Sequence, residues 1–187
     1  MTDQLLQLDR RLFHFINHDL SNAFFDWLCP IARNPVVWAP LYIFILVFCI
    51  YRYKKTGVYI ILLLLLSFGL ADRGSAGLIK PMAQRLRPCH EPTIANSIIV
   101  RVPCGSGYSF PSAHASNHFA IACFLSLVFY SRWKNIWWAA IPWAFVISFS
   151  QVYVGVHYPF DVTFGALYGM LVGYIVYLLF KKLQPQF

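Results

Sequence analysis

Charge is what this chain lacks most. Charged residues fill 12% of its 187 positions, where a soluble domain carries about 25%. That scarcity excludes an ordinary water-soluble globule and makes lipid the expected solvent. The hydrophobic share of 59% and the mean hydropathy of +0.58 point the same way. Acidic residues are rarer still, seven against fifteen lysines and arginines, for a net charge of +8. Internal repeats and low-complexity tracts are missing, and at 187 residues a single domain over 1–187 is expected. The N-terminal stretch has no clean apolar core and no small-residue cleavage site, and is not read as a signal peptide. With Leu5, Leu6, Leu8, Leu12, Phe13 and Phe15 as apolar contacts, it suits an amphipathic helix lying in the interface. The five cysteines show no metal-ligand spacing.

What the chain does have is long apolar runs, at about 36–53, 57–79, 114–131, 135–153 and 160–180. Each approaches the ~20 residues a helix needs to cross ~30 Å of hydrocarbon. Strands would leave backbone groups unpaired in lipid, so helices are the default. The expected fold is all-α, a polytopic membrane bundle with a core over 36–181 and an interfacial N-terminal segment over 1–35. Residues 20–35 hold Asp26, Pro30 and Arg33 and make a poor span. A short interfacial or re-entrant helix there gives five crossings, and a sixth span remains open. Gly165, Gly169 and Gly173 repeat every four residues and mark a close helix–helix contact.

The cations argue against nucleic acid as the partner. Arg52, Lys54 and Lys55 follow one apolar run, Arg132 and Lys134 separate two others, and Lys181 and Lys182 follow the last. This is the positive-inside pattern of a membrane protein. With those clusters in the cytoplasm, 80–111 and 153–159 both fall on the opposite face. Cys89 and Cys104 flank a 14-residue stretch of that outer loop, in a compartment that permits a disulfide. Cys29, Cys49 and Cys123 fall in or near apolar helices as packing residues.

Chemistry concentrates in three clusters, Lys80–Pro88 (KPMAQRLRP), Pro111–His114 (PSAH) and Ser150–Asp161 (SQVYVGVHYPFD). Lys80 and Arg87 offer fixed positive charge for phosphate oxygens, Arg87 with a fork suited to paired bonds. Ser112 and the Ala113 amide precede a helix, where N–H groups and the dipole favour anions. His114 and His157 can each carry a proton or attack, and Asp161 is close enough in sequence to orient the His157 ring. That is equipment for phosphoryl transfer without a metal or other cofactor. His118, one turn beyond His114, reads as a helix-lining residue. Arg85 and Arg101 read as cations snorkelling to lipid headgroups.

The order and separations resemble the type 2 phosphatidic acid phosphatases, whose superfamily includes bacterial acid phosphatases and vanadium haloperoxidases. The family pattern is Lys, six residues, Arg-Pro; then Pro-Ser-x-His; then Ser-Arg, five residues, His, three residues, Asp. Lys80 with Arg87-Pro88, then Pro111, Ser112 and His114, then Ser150, His157 and Asp161 match it. The resemblance implies that His157 attacks to form a phosphohistidine, that His114 protonates the leaving oxygen, and that Asp161 holds the His157 tautomer. Ala113 stands where Gly is usual, and Gln151 stands where the family has a third phosphate-binding Arg. The site is therefore one cation short: the enzyme is weakened, the residue is an engineered substitution, or another cation compensates. Arg73, two helical turns before Lys80, is the candidate compensator.

The resemblance implies a metal-independent lipid phosphatase of bacterial type in the inner membrane, acting on the outer face. Its partners would be the bilayer and a lipid phosphate, with no nucleic acid and no obligate protein partner. Candidate substrates are undecaprenyl diphosphate, ranked first, phosphatidylglycerophosphate, phosphatidic acid and a lipid A phosphate. The same site would also serve a lipid phosphotransferase or, given Gln151, a non-catalytic lipid-binding or transport protein. Released phosphate separates the first class from the other two.

Overall fold

In lipid, backbone groups must pair within their own segment, and the computed structural model is helical, with no strand among the described residues, 3–94 and 97–187. Residues 1, 2, 95 and 96, at the chain start and inside the Cys89–Cys104 loop, lie outside that description. The seven α-helices among the described residues are α1 (Asp3–His14), α2 (Ala23–Ala32), α3 (Ala39–Asp72), α4 (Lys80–Ala83), α5 (Ala113–Phe129), α6 (Trp137–Tyr153) and α7 (Pro159–Leu183). A π-helical stretch, Arg73–Ile79, joins α3 to α4.

Helix α3 holds most of the first two apolar runs. Lys54 breaks it with a non-helical backbone (φ 52°, ψ −122°). The chain doubles back there, because Gly57 lies against the Cys49 carbonyl with no room for a side chain. Helix α5 is the central element, with fourteen of its 17 residues buried. Helix α7 reaches it through the predicted glycine stripe. A Cβ on Gly165 would lie 2.6 Å from the Ser112 carbonyl oxygen, and one on Gly173 2.6 Å from that of Ala120. Gly169 is tighter still against Ser116. The absent side chains let the two backbones touch, the usual device where lipid gives helices no hydrophobic drive to associate.

Outside this core the chain presents large apolar side chains, among them Phe44, Leu65, Leu167 and Ile175. The helical runs Pro35–His90, Lys134–Tyr153 and Pro159–Leu183 are long and apolar enough to cross a membrane. The protein is a membrane protein on these grounds. Helix α2, at ten residues, is about 15 Å long, half the hydrocarbon thickness.

The three basic clusters meet at one end of the bundle. The Arg132 guanidinium lies 5.4 Å from the Tyr53 ring and 3.6 Å from that of Phe187. Thr56 Oγ1 bonds Gln184 Oε1 at 3.1 Å. The three motifs gather at the other end, as the alternation of apolar runs requires.

The N-terminal segment departs from the expectation of a simply interfacial helix. Leu5, Leu8, Leu12 and Phe15 do point outward. Phe13 instead turns inward onto Tyr158, with ring centroids 5.4 Å apart. Asp9 and Asn17 are buried on the same face, at intervals of four residues. Asn17 Nδ2 donates to the Ile99 and Tyr153 carbonyls at 2.8 Å each. Its Oδ1 accepts from the Ile99 amide at 2.9 Å. The segment is thus docked by hydrogen bonds onto the motif end.

Candidate active site

Local chain geometry brings the third motif into position. Helix α6 ends at Tyr153, and Gly155 turns the chain with φ +89°, a conformation that side chains disfavour. The Gln151 carbonyl then accepts both the Val156 and the His157 amides at 3.2 Å. Four residues on, Asp161 lies in the first turn of α7, whose N-terminus it caps by accepting the Tyr158 amide at 2.8 Å. The Asp161 carbonyl accepts the Ser112 amide at 3.0 Å, which pins the start of α5 to the start of α7. Ser112 caps α5 through its hydroxyl, 3.4 Å from the Ala115 amide. The first-turn N–H groups of α5, beginning with Ala113, have no partner within the helix.

His157 is held at both ring nitrogens. Its Nδ1 lies 3.4 Å from Asp161 Oδ2 and 3.3 Å from Ser109 Oγ, and its Nε2 lies 3.4 Å from Arg87 Nη1. The carboxylate can only accept, so the ring proton belongs on Nδ1 and the Nε2 lone pair faces the cations. Burial pushes the His157 imidazole well below its ordinary value, to about 4, against the opposing pull of Asp161. The ring is therefore neutral at physiological pH, as a nucleophile must be.

Arg87 is held by the Gly107 and Val156 carbonyls at 3.3 and 3.2 Å. Lys80 is half-buried, and its charge bears on both His114 and His157. His114 lines an apolar cleft of about 520 Å³ between α3 and α5, whose walls include Pro35, Tyr42, Leu65, Phe68 and Ile121. His118 does more than line the helix. Its Nδ1 donates to the His114 carbonyl at 2.7 Å, and its Nε2 takes the Tyr42 hydroxyl at 3.1 Å. Cys89 and Cys104 are bonded, with Cα atoms 6.3 Å apart, between the first and second motifs.

Two arginines correct the sequence reading. Arg85 does not snorkel: its side chain is 18% exposed and spans two fully buried carboxylates. Nη1 donates to Asp161 Oδ1 at 2.7 Å and Nη2 to Asp9 Oδ2 at 2.6 Å. Arg101 is likewise drawn in, 4.0 Å over the Tyr153 ring and bonded to the Tyr153 and Asn17 carbonyls at 2.9 and 3.0 Å. Ser109 was also missed. Its amide donates to the Arg85 carbonyl at 2.7 Å and its hydroxyl donates to Asp161 Oδ2. An acid at position 9, one helical turn before Phe13, was the available signal for the Arg85 partner.

Gln151 is fully buried, and its side-chain Oε1 lies 3.4 Å from Arg33 Nε. Its Nε2 finds no partner among the described residues. Arg73, the expected compensator, is exposed, lies with its stem against Gly77, and forms no hydrogen bond or ion pair among the described residues. The physical reason is the π-helix at Arg73–Ile79. Its i→i+5 pairing turns less per residue than an α-helix, so a seven-residue step no longer returns to one face.

A family model described as the PAP2 superfamily matches residues 56–185. A lipid A 4'-phosphatase of Bacteroides thetaiotaomicron is 33% identical over 189 residues, covering 100% of this chain and 83% of that protein. An undecaprenyl-diphosphatase of Sulfolobus acidocaldarius is 28% identical over 92% of this chain and 79% of its own length. Among solved structures, LpxE of Aquifex aeolicus superposes with a TM-score of 0.72 at 27% identity, covering 90% of this chain and 94% of that one.

Proposed function

The chain belongs to the PAP2 superfamily and is a lipid phosphatase, and on that premise we propose that it removes a phosphate monoester from a lipid A-type glycolipid through a phosphohistidine on His157. The observation that carries the mechanism is the bracketing of His157, with Asp161 and Ser109 at Nδ1 and Arg87 at Nε2. Lys80, Arg87, Ser112 and the Ala113 amide bind the phosphate oxygens. His157 Nε2 attacks phosphorus as the bond to the lipid oxygen breaks. His114 gives its proton to that oxygen, and Asp161 stabilises the charge that appears on the His157 ring. Water then attacks phosphorus, His114 takes its proton, and inorganic phosphate leaves with His157 restored.

The lipid A assignment replaces the isoprenyl diphosphate ranked first on the sequence. It rests on the relative that spans the whole chain at 33% identity. The cleft beside His114 offers an apolar path for an acyl chain. In this reading the chain crosses the membrane five times with α2 at the interface, the basic end faces the cytoplasm, and the site opens at the outer face of a bacterial inner membrane. This reading is supported by the convergence of Arg132, Tyr53 and Gln184 at the end away from the motifs.

Purified protein given lipid A, undecaprenyl diphosphate, phosphatidylglycerophosphate and phosphatidic acid in EDTA should release phosphate fastest from lipid A. A higher kcat/KM on any of the others overturns the substrate. Strict dependence on added Mg²⁺ overturns the mechanism. Phosphate found on an acceptor lipid instead of in solution makes the protein a phosphotransferase.

A further inference from the structure

We propose that Arg33, at the C-terminal end of α2, supplies the phosphate-binding cation that Gln151 cannot. The inference rests on the phosphatase reading above and names a residue outside all three motifs.

Three observations converge on it. First, the Arg33 side chain reaches position 151 itself, with Nε 3.4 Å from Gln151 Oε1. Gln151 in turn accepts the His157 amide on its backbone carbonyl, so one residue links the guanidinium to the nucleophile's own segment. Second, Arg33 is half-buried yet spends only that one donor on the protein among the described residues. Its two Nη groups remain for the paired bonds that a guanidinium makes to phosphate. Third, the Arg33 contact fixes which way the Gln151 amide points. Because Oε1 faces a donor, Nε2 is left as a donor, and it is buried without a partner. An unmatched buried donor beside a cluster of cations calls for an anionic acceptor. A bound phosphate oxygen would satisfy it.

The structure also explains why Arg33 can be held there. Helix α2 packs on the end of α6 through Cys29, which is buried with Tyr153, Val154 and Val156, and through Phe25 against Phe149 and Tyr153. Asp26 accepts the Tyr153 hydroxyl at 2.7 Å. Trp38 Nε1 donates to the Ala32 carbonyl at 2.7 Å, which closes the turn after α2. Pro35, two residues beyond Arg33, lines the same cleft as His114. The charge removed from α6 is thus returned from a neighbouring helix, with Gln151 kept as the link between that cation and the His157 turn.

The test compares Arg33→Gln, Arg33→Lys, Gln151→Arg and the Arg33→Gln/Gln151→Arg pair in purified protein. Readouts are kcat/KM on the lipid substrate, the inhibition constant for orthovanadate, and thermal stabilisation by orthovanadate. Losing a charge-assisted contact should weaken vanadate and lower kcat/KM by ten- to a hundredfold, on the order expected for a hydrogen bond to a charged group. Arg33→Lys should fall between the wild type and Arg33→Gln, because the charge stays and the fork is lost. Gln151→Arg should recover most of the loss in the Arg33→Gln background and gain little by itself, since both positions serve one phosphate. Unchanged vanadate affinity and turnover in Arg33→Gln overturn the inference. So does a folded Arg33→Gln protein that Gln151→Arg fails to restore, which would make Arg33 a structural prop. A wild type that neither binds vanadate nor releases phosphate would instead defeat the phosphatase reading on which the inference rests.

Discussion

Removing the Arg85 guanidinium strands two buried carboxylates at once. Asp9 and Asp161 are both fully buried, and Arg85 bonds one oxygen of each. Breaking a buried ion pair from one side costs about 3–5 kcal/mol, because the remaining charge is left uncompensated. The lower end applies here, since Arg85 is 18% exposed and Asp161 keeps Ser109 and the Tyr158 amide. For Arg85→Met we expect a loss of about 3 kcal/mol, which lowers Tm by about 6–12 °C in a chain of this size. Scanning fluorimetry in detergent reads it. The pH dependence gives a sharper test. Burial raises the Asp9 carboxyl above its ordinary value, while Arg85 and the Phe160 amide pull it back. Without Arg85 the folded state takes up a proton that the unfolded chain does not. A group whose folded value is raised favours the folded state as pH falls. The Tm deficit of Arg85→Met should therefore shrink toward pH 5 and grow toward pH 8, and Asp9→Asn should remove much of that dependence. Turnover should also fall, because Asp161 loses the bond on the oxygen facing away from His157. An Arg85→Met protein within about 2 °C of wild type at neutral pH, with unchanged turnover, refutes the reasoning.

Gly169→Ala drives a methyl into the Ser116 backbone of α5, which cannot move cheaply, whereas Gly69 has nothing within 4 Å of an added Cβ. The first should cost about 1–3 kcal/mol and the second should leave Tm unchanged or slightly raised; equal effects would argue against close α5–α7 contact. With the His157 imidazole pushed down to about 4, the nucleophile stays neutral through the physiological range. The acid limb of kcat/KM, corrected for ionisation of the substrate phosphate, should lie well below the ordinary histidine value of ~6.5, and a limb near it that disappears on His157 substitution would contradict the assignment. Ser97 is exposed at the motif end, so Ser97→Cys in intact cells should react with an impermeant maleimide. Labelling only after lysis would place the site in the cytoplasm.

Much of the candidate site's geometry was legible because it is written in short local spacings. Asp161 caps the helix that follows His157, and four residues suffice to put both on one turn. His114 lies in the first turn of α5, two residues after the Ser112 cap, so the second motif carries its own geometry. The glycine stripe was legible for the same reason: a four-residue repeat is a helix face whatever the partner. Arg73 shows where such reasoning stops. A seven-residue step returns to one face only in an unbroken α-helix, and the π-helix at Arg73–Ile79 removes that premise. Nothing in the local composition of RGSAGLI announces the wider turn.

What stayed illegible depends on contacts across long sequence separations. Asp9 meets Arg85, Asn17 meets Ile99 and Tyr153, and Arg33 meets Gln151, each from a segment that read as a membrane-surface anchor. An amphipathic helix has an apolar and a polar face, and the natural assumption sends the polar face to water. Here α1 does the reverse with part of it, since Asp9 is buried while Leu5, Leu8 and Leu12 are exposed. The energetic reason is Arg85. After Nη1 binds Asp161, the Arg85 Nη2 donor still needs an acceptor in a low-dielectric wall, and Asp9 supplies it. The N-terminal segment therefore completes the electrostatics of the site from outside the motifs: Asp9 supplies negative charge behind the nucleophile, and Arg33 supplies positive charge in front of it. Deleting residues 1–19 should on this argument impair turnover as severely as Arg85→Met, even though every motif residue remains. A truncated protein that folds and turns over at the wild-type rate would show that the anchor contributes attachment alone.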